Sequence, residues 1–225
     1  MAGPAVERSD FDSDIYGVEF HRVTVADAGR IAEALERLPD TGLIVDAKVP
    51  ADDLATIDAL VGLGFQKASV LVEFGAAPDP DATTDAGAAR VLTLSEADLD
   101  AHAGAFRFQR LMQDGRVPRG KTEELMRRWI SNSLAGRREV IAIGRNFCTY
   151  SVADRRLTID LLSCLDRGRG IAGRLMRAIH AEASTRGCDE VRVTTEAENV
   201  TALRVYQAAG FQPVASWAAM HLVRP

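Results

Sequence analysis

Cysteine is scarce: the chain has three, Cys148, Cys164 and Cys188, and no Cys-x-x-Cys spacing. An odd, scattered set builds no disulfide framework and fits a reducing compartment. The four histidines, His21, His102, His180 and His221, stand apart from one another. They offer no metal-ligand spacing, so no metal is expected. No run approaches the roughly 18 apolar residues of a membrane span. The opening MAGPAVERSDFDSD carries acids where a signal peptide would be apolar, so a cytoplasmic protein is expected. A basic excess is also missing. Lys+Arg 27 against Asp+Glu 32 gives a net charge of -5, which disfavours binding along a nucleic-acid backbone. What remains is ordinary: 47% hydrophobic and 26% charged residues in 225. That composition folds, and the length exceeds a single domain of roughly 150 residues.

Residues 76–89, AAPDPDATTDAGAA, have almost no large apolar side chain. They read as a linker between an N-terminal α/β lobe (1–75) and a second unit (90–225). In the lobe, strands are expected at 18–25, 43–49 and 69–74. Helices are expected at 26–38 and 52–63, the latter closed by Gly64. In the second unit, a short strand at 90–93 precedes a helix capped by Ser95. A helix over 122–134 places Leu125, Trp129 and Ser133 on one face. Strands at 139–144, 147–152 and 156–164 are joined too closely for crossover helices, so they run antiparallel. A helix over 169–185 aligns Ile171, Leu175, Ile179 and Ala183. A strand at 190–194 leads to a helix over 199–209, capped by Asn199 and stopped by Gly210; two short strands follow Phe211.

The chemistry concentrates in Leu157–Gly173, LTIDLLSCLDRGRGIAG. An apolar strand enters a glycine-rich turn that opens an amphipathic helix. Glycine lets backbone approach a ligand closely, and the first helical turn offers unpaired N–H groups and a positive dipole end. Such a turn cradles a pyrophosphate, and Arg167 and Arg169 add charge beside it. Gly168-Arg169-Gly170-Ile171-Ala172-Gly173 fits G-x-G-x-x-G formally. A dinucleotide fold, however, needs that motif after the first strand of a parallel sheet. A P-loop needs Gly-Lys-Ser/Thr, which is absent. The same stretch also reads R-x-x-G-x-A, through Arg167, Gly170 and Ala172.

That segment resembles the acetyl-CoA loop of the GNAT-type N-acyltransferases. The following CDEVRVTTEAENVTALRVYQAAGFQPV places Asn199, Ala202, Tyr206, Gly210 and Phe211 in the family's order. The resemblance implies the GNAT acyltransferase fold, a mixed, mostly antiparallel sheet flanked by helices. The N-terminal lobe would be a partial copy of that unit. Acetyl-CoA would be the co-substrate, contacted by Leu162, Ser163, Cys164, Arg167, Gly168, Arg169, Gly170, Ile171, Ala172, Gly173 and Asn199. Tyr206 would protonate the departing thiolate in a direct transfer to a primary amine, and the family suggests a homodimer. A narrower resemblance, to the dTDP-fucosamine N-acetyltransferases, rests on FDSDIYGVEFHRV, LVGLGFQ, FRF and MRRWISNSLAG. It implies a nucleotide-linked, dTDP-type deoxyamino sugar as acceptor, with Arg107, Phe108 and Trp129 near it.

Each of these residues also has a plain reading. Tyr206 and Trp129 at helical spacing suit a core, and Asn199 suits a helix cap. Cys164 has no histidine nearby in sequence to make it a nucleophile. Asp160, Glu73 and Glu196 are three acids among which sequence chooses no general base. The alternative enzyme is a RimI-like acetyltransferase acting on a protein N-terminus or small amine. A non-catalytic acyl-CoA sensor would have no use for Tyr206.

Overall fold

The computed structural model describes residues 3–25 and 27–225. The N-terminal lobe runs β1 (Val6–Arg8), α1 (Asp10–Tyr16), β2 (Glu19–Val23), α2 (Ala28–Leu35), β3 (Leu43–Pro50), α3 (Leu54–Gly62) and β4 (Gln66–Ala76). The rest runs β5 (Ala88–Ala89), α4 (Glu96–Ala105), α5 (Arg110–Gln113) and α6 (Arg119–Asn132), then β6 (Glu139–Ile143), β7 (Asn146–Ala153) and β8 (Arg156–Ser163). It ends with α7 (Ile171–Thr185), β9 (Glu190–Glu196), α8 (Val200–Ala208) and β10 (Gln212–Arg224). No helix among the described residues is long and apolar enough to cross a membrane.

All ten strands form one sheet, ordered β1-β2-β3-β10-β4-β9-β8-β7-β6-β5. The order interlocks the two halves. The last strand, β10, pairs antiparallel with β3 on one side and with β4 on the other. In turn β4 is inserted between β10 and β9. The expected GNAT-type fold is therefore present, a mixed sheet with helices on both faces. The pair β8–β9 is parallel, while β6–β7 and β7–β8 form the expected antiparallel meander.

Alternation along each strand sends one set of side chains to each face. On one face, α7 and α8 close a core with Leu157, Ile159, Val191 and Val193. On the same face of the N-terminal half, Ile31, Leu35 and Leu60 from α2 and α3 cover Val45, Ala47, Ala218 and Met220. The other face carries α1, α4, α5 and α6, through Tyr16, Leu111 and Leu125 in one cluster and Leu99, Met126, Phe147 and Leu161 in another.

Two local expectations need correction. The tail is one strand, not two: pairing on both edges holds β10 extended over its whole length, and its irregularity is a bulge at Pro213/Ala215, not a turn. The short strand lies at Ala88–Ala89, not at 90–93. Arg90, still exposed, instead reaches two buried partners, with Nη2 2.6 Å from Glu182 and Nη1 donating to the Tyr150 hydroxyl at 3.0 Å. The helix α1 had no forecast; it is a short acidic segment ended by Gly17 at φ 70°. The helix expected over 26–38 begins on Ala26, outside the described residues; α2 is capped by the Asp27 side chain on the Arg30 N–H. Segment 76–89 is fastened to α7. Asp85 takes two bonds from Arg174, at 2.6 and 2.8 Å, and the Ser184 hydroxyl donates to the Asp79 carbonyl at 3.0 Å.

Candidate active site

The site begins where two neighbouring strands part. Parallel pairing of β8 with β9 stops at Ile159–Val193, although β8 continues to Ser163 and β9 to Glu196. The register of β7 with β8 explains the parting. Thr149 pairs with Leu161 but Tyr150 pairs with Ile159, so Asp160 is an extra residue, a bulge that bends β8 away. Beyond it, the β9-facing edge of Leu161–Ser163 has no strand partner. That edge supplies backbone hydrogen-bonding groups for an extended ligand chain.

The turn after β8 carries Gly168 at φ 73° and Gly170 at φ 68°. Both lie in the left-handed region, where a Cβ costs about 1–2 kcal/mol. Gly170 caps α7 without any side-chain bond, so the N–H groups of Ile171, Ala172 and Gly173 point out of the helix unpaired. Arg167 and Arg169 are exposed and have no ion pair among the described residues. The turn thus brings together free amides, a dipole end and two cations without an ion pair among the described residues, a combination suited to an anion. From it a groove of about 690 Å³ runs between α7 and α8, past Gly173, Arg177, His180, Arg204 and Ala208.

Two residues without a sequence forecast hold this turn in place. Buried Asn146 accepts the N–H groups of Leu165 and Asp166, at 2.9 and 3.1 Å. Its amide donates to the Ile143 carbonyl at 3.0 Å and to Asp166 at 2.8 Å. Buried His102 spans the Ser163 hydroxyl at 2.7 Å and the Arg145 carbonyl at 2.9 Å. His102 stands in the sequence as an isolated histidine and Asn146 carries no reading there; only the fold brings them under the loop. Replacing Asn146 by Leu leaves two partly buried amides without this partner, each costing up to about 1–3 kcal/mol. The variant should melt lower and bind acetyl-CoA several-fold more weakly, as thermal melts and calorimetric titration would show.

Tyr206 is buried on α8, its ring 5.9 Å from Phe74 and 6.0 Å from Phe211 between centroids. Its hydroxyl has no hydrogen-bond partner among the described residues. Burial, with Cys148, Glu196 and Cys164 nearby, pushes its pKa well above the usual tyrosine value. Tyr206 therefore stays neutral. Cys164 follows the open end of β8, and burial raises its thiol to about 11, which disfavours a thiolate nucleophile. Asn199 caps α8 through the Ala202 N–H at 3.3 Å and donates to Thr195 Oγ1 at 3.2 Å, so its side chain is engaged in the cap.

The opposite face supplies the second wall. Glu196 ends β9, and its Oε1 accepts the Arg110 N–H at 3.0 Å. Burial raises the pKa of Glu196, against the opposing pull of its hydrogen bonds and of Arg110. The other two acids are taken: Asp160 pairs with Arg138 at 2.9 Å, and Glu73 pairs with Arg192 at 3.2 Å. Arg110 itself grips Asp46 through two bonds, at 3.1 and 2.6 Å. Asp46 also lies 3.5 Å from His221, which lies 3.0 Å from Asp114. This chain of charges ties α5 to the sheet beside Glu196. Arg107 and Phe108 are exposed on the loop just before α5, on the side of Glu196. Trp129 is instead half-buried in the α4–α6 core with Leu99, Met126 and Leu161.

Residues 167–211 match the model of the acetyltransferase (GNAT) family. The matched stretch holds the loop, α7, β9 and α8. No curated protein matches the chain in sequence. Solved structures resemble it over nearly its full length. A GCN5-related N-acetyltransferase from Sphaerobacter thermophilus is 17% identical with a TM-score of 0.58, covering 96% of this chain and 75% of that one. One from Kribbella flavida is 15% identical with a TM-score of 0.58, covering 98% and 88%. A tandem GNAT protein from the clavulanic acid biosynthesis pathway is 15% identical with a TM-score of 0.56, covering 93% and 76%. At these identities the structures speak for the fold, and the likeness in sequence to the acetyltransferase (GNAT) family is confined to residues 167–211.

Proposed function

We propose that the chain transfers the acetyl group of acetyl-CoA directly to the amine of a nucleotide-linked deoxyamino sugar of the dTDP type. The observation that carries this reading is the β8–β9 gap, with the glycine turn at its mouth and Tyr206 and Glu196 nearby. In this reading the pyrophosphate takes the amides of Gly168–Gly173 and the charges of Arg167 and Arg169. The adenosine 3′-phosphate end lies along the α7–α8 groove, where Arg177 and Arg204 have no ion pair among the described residues. The pantetheine arm extends along the open edge of β8, against Leu162, Ser163 and Cys164.

The amine enters from the α5–α6 face, past Arg107 and Phe108, and attacks the thioester carbon. Backbone N–H groups in Leu162–Cys164 hold the oxygen that gains charge. The C–N bond forms and the C–S bond breaks. The Tyr206 hydroxyl gives its proton to the leaving thiolate, and Glu196 takes the proton lost by the amine. A base must be ionised near neutral pH yet basic enough to accept, and a buried carboxylate with a raised pKa meets that condition. Asp160 and Glu73 fit less well because each is neutralised by an arginine. No step uses a metal. Cytoplasmic action and a homodimer follow from the sequence reading and the resemblance.

The acceptor assignment is supported by the resemblance of FDSDIYGVEFHRV and MRRWISNSLAG to the dTDP-fucosamine N-acetyltransferases. Thiol release from acetyl-CoA should be measured with dTDP-amino sugars, N-terminal peptides and polyamines. Turnover confined to an amino sugar upholds the reading. Turnover confined to peptides or polyamines removes the sugar and leaves acetyl transfer standing.

A further inference from the structure

On the sheet surface that carries Glu196, an ammonium stands with no ion pair among the described residues. Along one row, Trp217 of β10 is opposite Leu71 of β4, and Leu71 is opposite Glu196 of β9. Directly opposed residues share a face, and this is the face away from α2 and α3, where Ala218 and Met220 point. Trp217 thus stands two strands from Glu196, about 10 Å at the usual spacing. Its indole N–H donates to Glu73 at 3.3 Å, which fixes the ring. The Lys48 ammonium, from β3, lies over that ring, 4.4 Å from its centroid.

Every acid that influences Lys48 is already committed. Glu73 is shared between Arg192 and Trp217, and Asp46 between Arg110 and His221. Lys48 has no ion pair among the described residues, and partial burial lowers its pKa despite the neighbouring Glu73. An exposed ammonium held over an aromatic ring without a counter-ion is a station for an anion.

We propose that Lys48, braced on Trp217, receives the phosphate-type anion of the acceptor. Lys48 springs from β3, one strand beyond Trp217, so the acceptor is an amine bearing a phosphate or diphosphate about 10–15 Å from the reacting nitrogen. A sugar ring between amine and diphosphate spans that distance, whereas a polyamine would set a cation against Lys48. This inference rests on the acetyl-transfer reading for its geometry and assigns the N-terminal lobe a part in specificity.

The test is a titration of dTDP into the full chain saturated with coenzyme A, which keeps the nucleotide out of the cofactor groove. Uncharged thymidine is the control. Wild type should bind dTDP at least ~10-fold more tightly than thymidine, since a charge-assisted bond is worth about 1.5–3 kcal/mol. Lys48→Ala should lose ~10-fold or more for dTDP and nothing for thymidine or coenzyme A. Lys48→Arg should restore most of the loss. Equal dTDP binding by wild type and Lys48→Ala would overturn the proposal, as would dTDP binding no tighter than thymidine. The acetyl-transfer reading fails by a separate result: no amine acetylated, while dTDP binding still depends on Lys48.

Discussion

Tyr206→Phe should lower kcat by about 100- to 1,000-fold while leaving coenzyme A affinity unchanged, the loss expected on removing a positioned proton donor. The substitution removes one oxygen and keeps the ring that contacts Phe74 and Phe211. Because the hydroxyl has no hydrogen-bond partner among the described residues, no internal bond is broken, and stability should move by less than about 1 kcal/mol. A purely structural tyrosine would give the reverse pattern, with turnover kept.

The pH profile adds a second reading of the same chemistry. Burial holds Tyr206 protonated across the neutral range, so it should impose no limb there. Glu196 must be ionised to accept a proton, and burial raises its pKa. The rate should therefore fall as pH drops through a value above the ordinary carboxylate range near 4.3. Glu196→Gln should remove that limb and lower kcat, with acetyl-CoA affinity unchanged.

The second large effect concerns stability. His221 is fully buried between Asp46 and Asp114. Burial disfavours its charge, but the bonds to Asp114 and Asp46 outweigh that and raise its pKa. Burial likewise works against ionised Asp46 and Asp114. Arg110 and His221 reverse this for Asp46, and His221 and Arg116 for Asp114, so both pKa values fall well below the usual range. His221→Leu leaves carboxylates buried with one partner fewer and should cost about 3–5 kcal/mol in urea unfolding.

The signs of the linkage fix a window. A raised histidine contributes fully below its unfolded pKa, near 6.5, and that contribution fades as pH rises through the higher folded value. The depressed aspartates contribute above about 3.9 and lose it as pH falls toward their folded values. The network should be strongest between about pH 4 and 6.5, and His221→Leu should flatten the alkaline side and weaken the acid side, because His221 helps hold both aspartates down.

Much of this was legible in sequence because it is local. The turn at Gly168–Gly170, the Asn199 cap and the stripe Ile171–Leu175–Ile179 each depend on neighbours a few residues away. The strand β10 escaped because its length comes from two distant partners, β3 and β4, and neither is visible in the local pattern QPVASWAAMHLVR. The supports of the site escaped for the same reason. Asn146 is nineteen residues from the Leu165 amide it holds, and His102 is 61 from Ser163. His221 had one local signal, a histidine inside an apolar strand run, but its partners Asp46 and Asp114 are far along the chain. Trp129, expected near the acceptor from the resemblance, packs half-buried against the α4–α6 core, as its helical spacing allows.

The central claim is that acetyl-CoA occupies the gap between β8 and β9. Amide hydrogen exchange with and without acetyl-CoA tests it most directly. The account predicts slowed exchange at residues 161–164 and 168–173, with little change in the N-terminal strands β1 and β2. Saturating acetyl-CoA that leaves those two segments unprotected, or protects only a surface elsewhere, would contradict it.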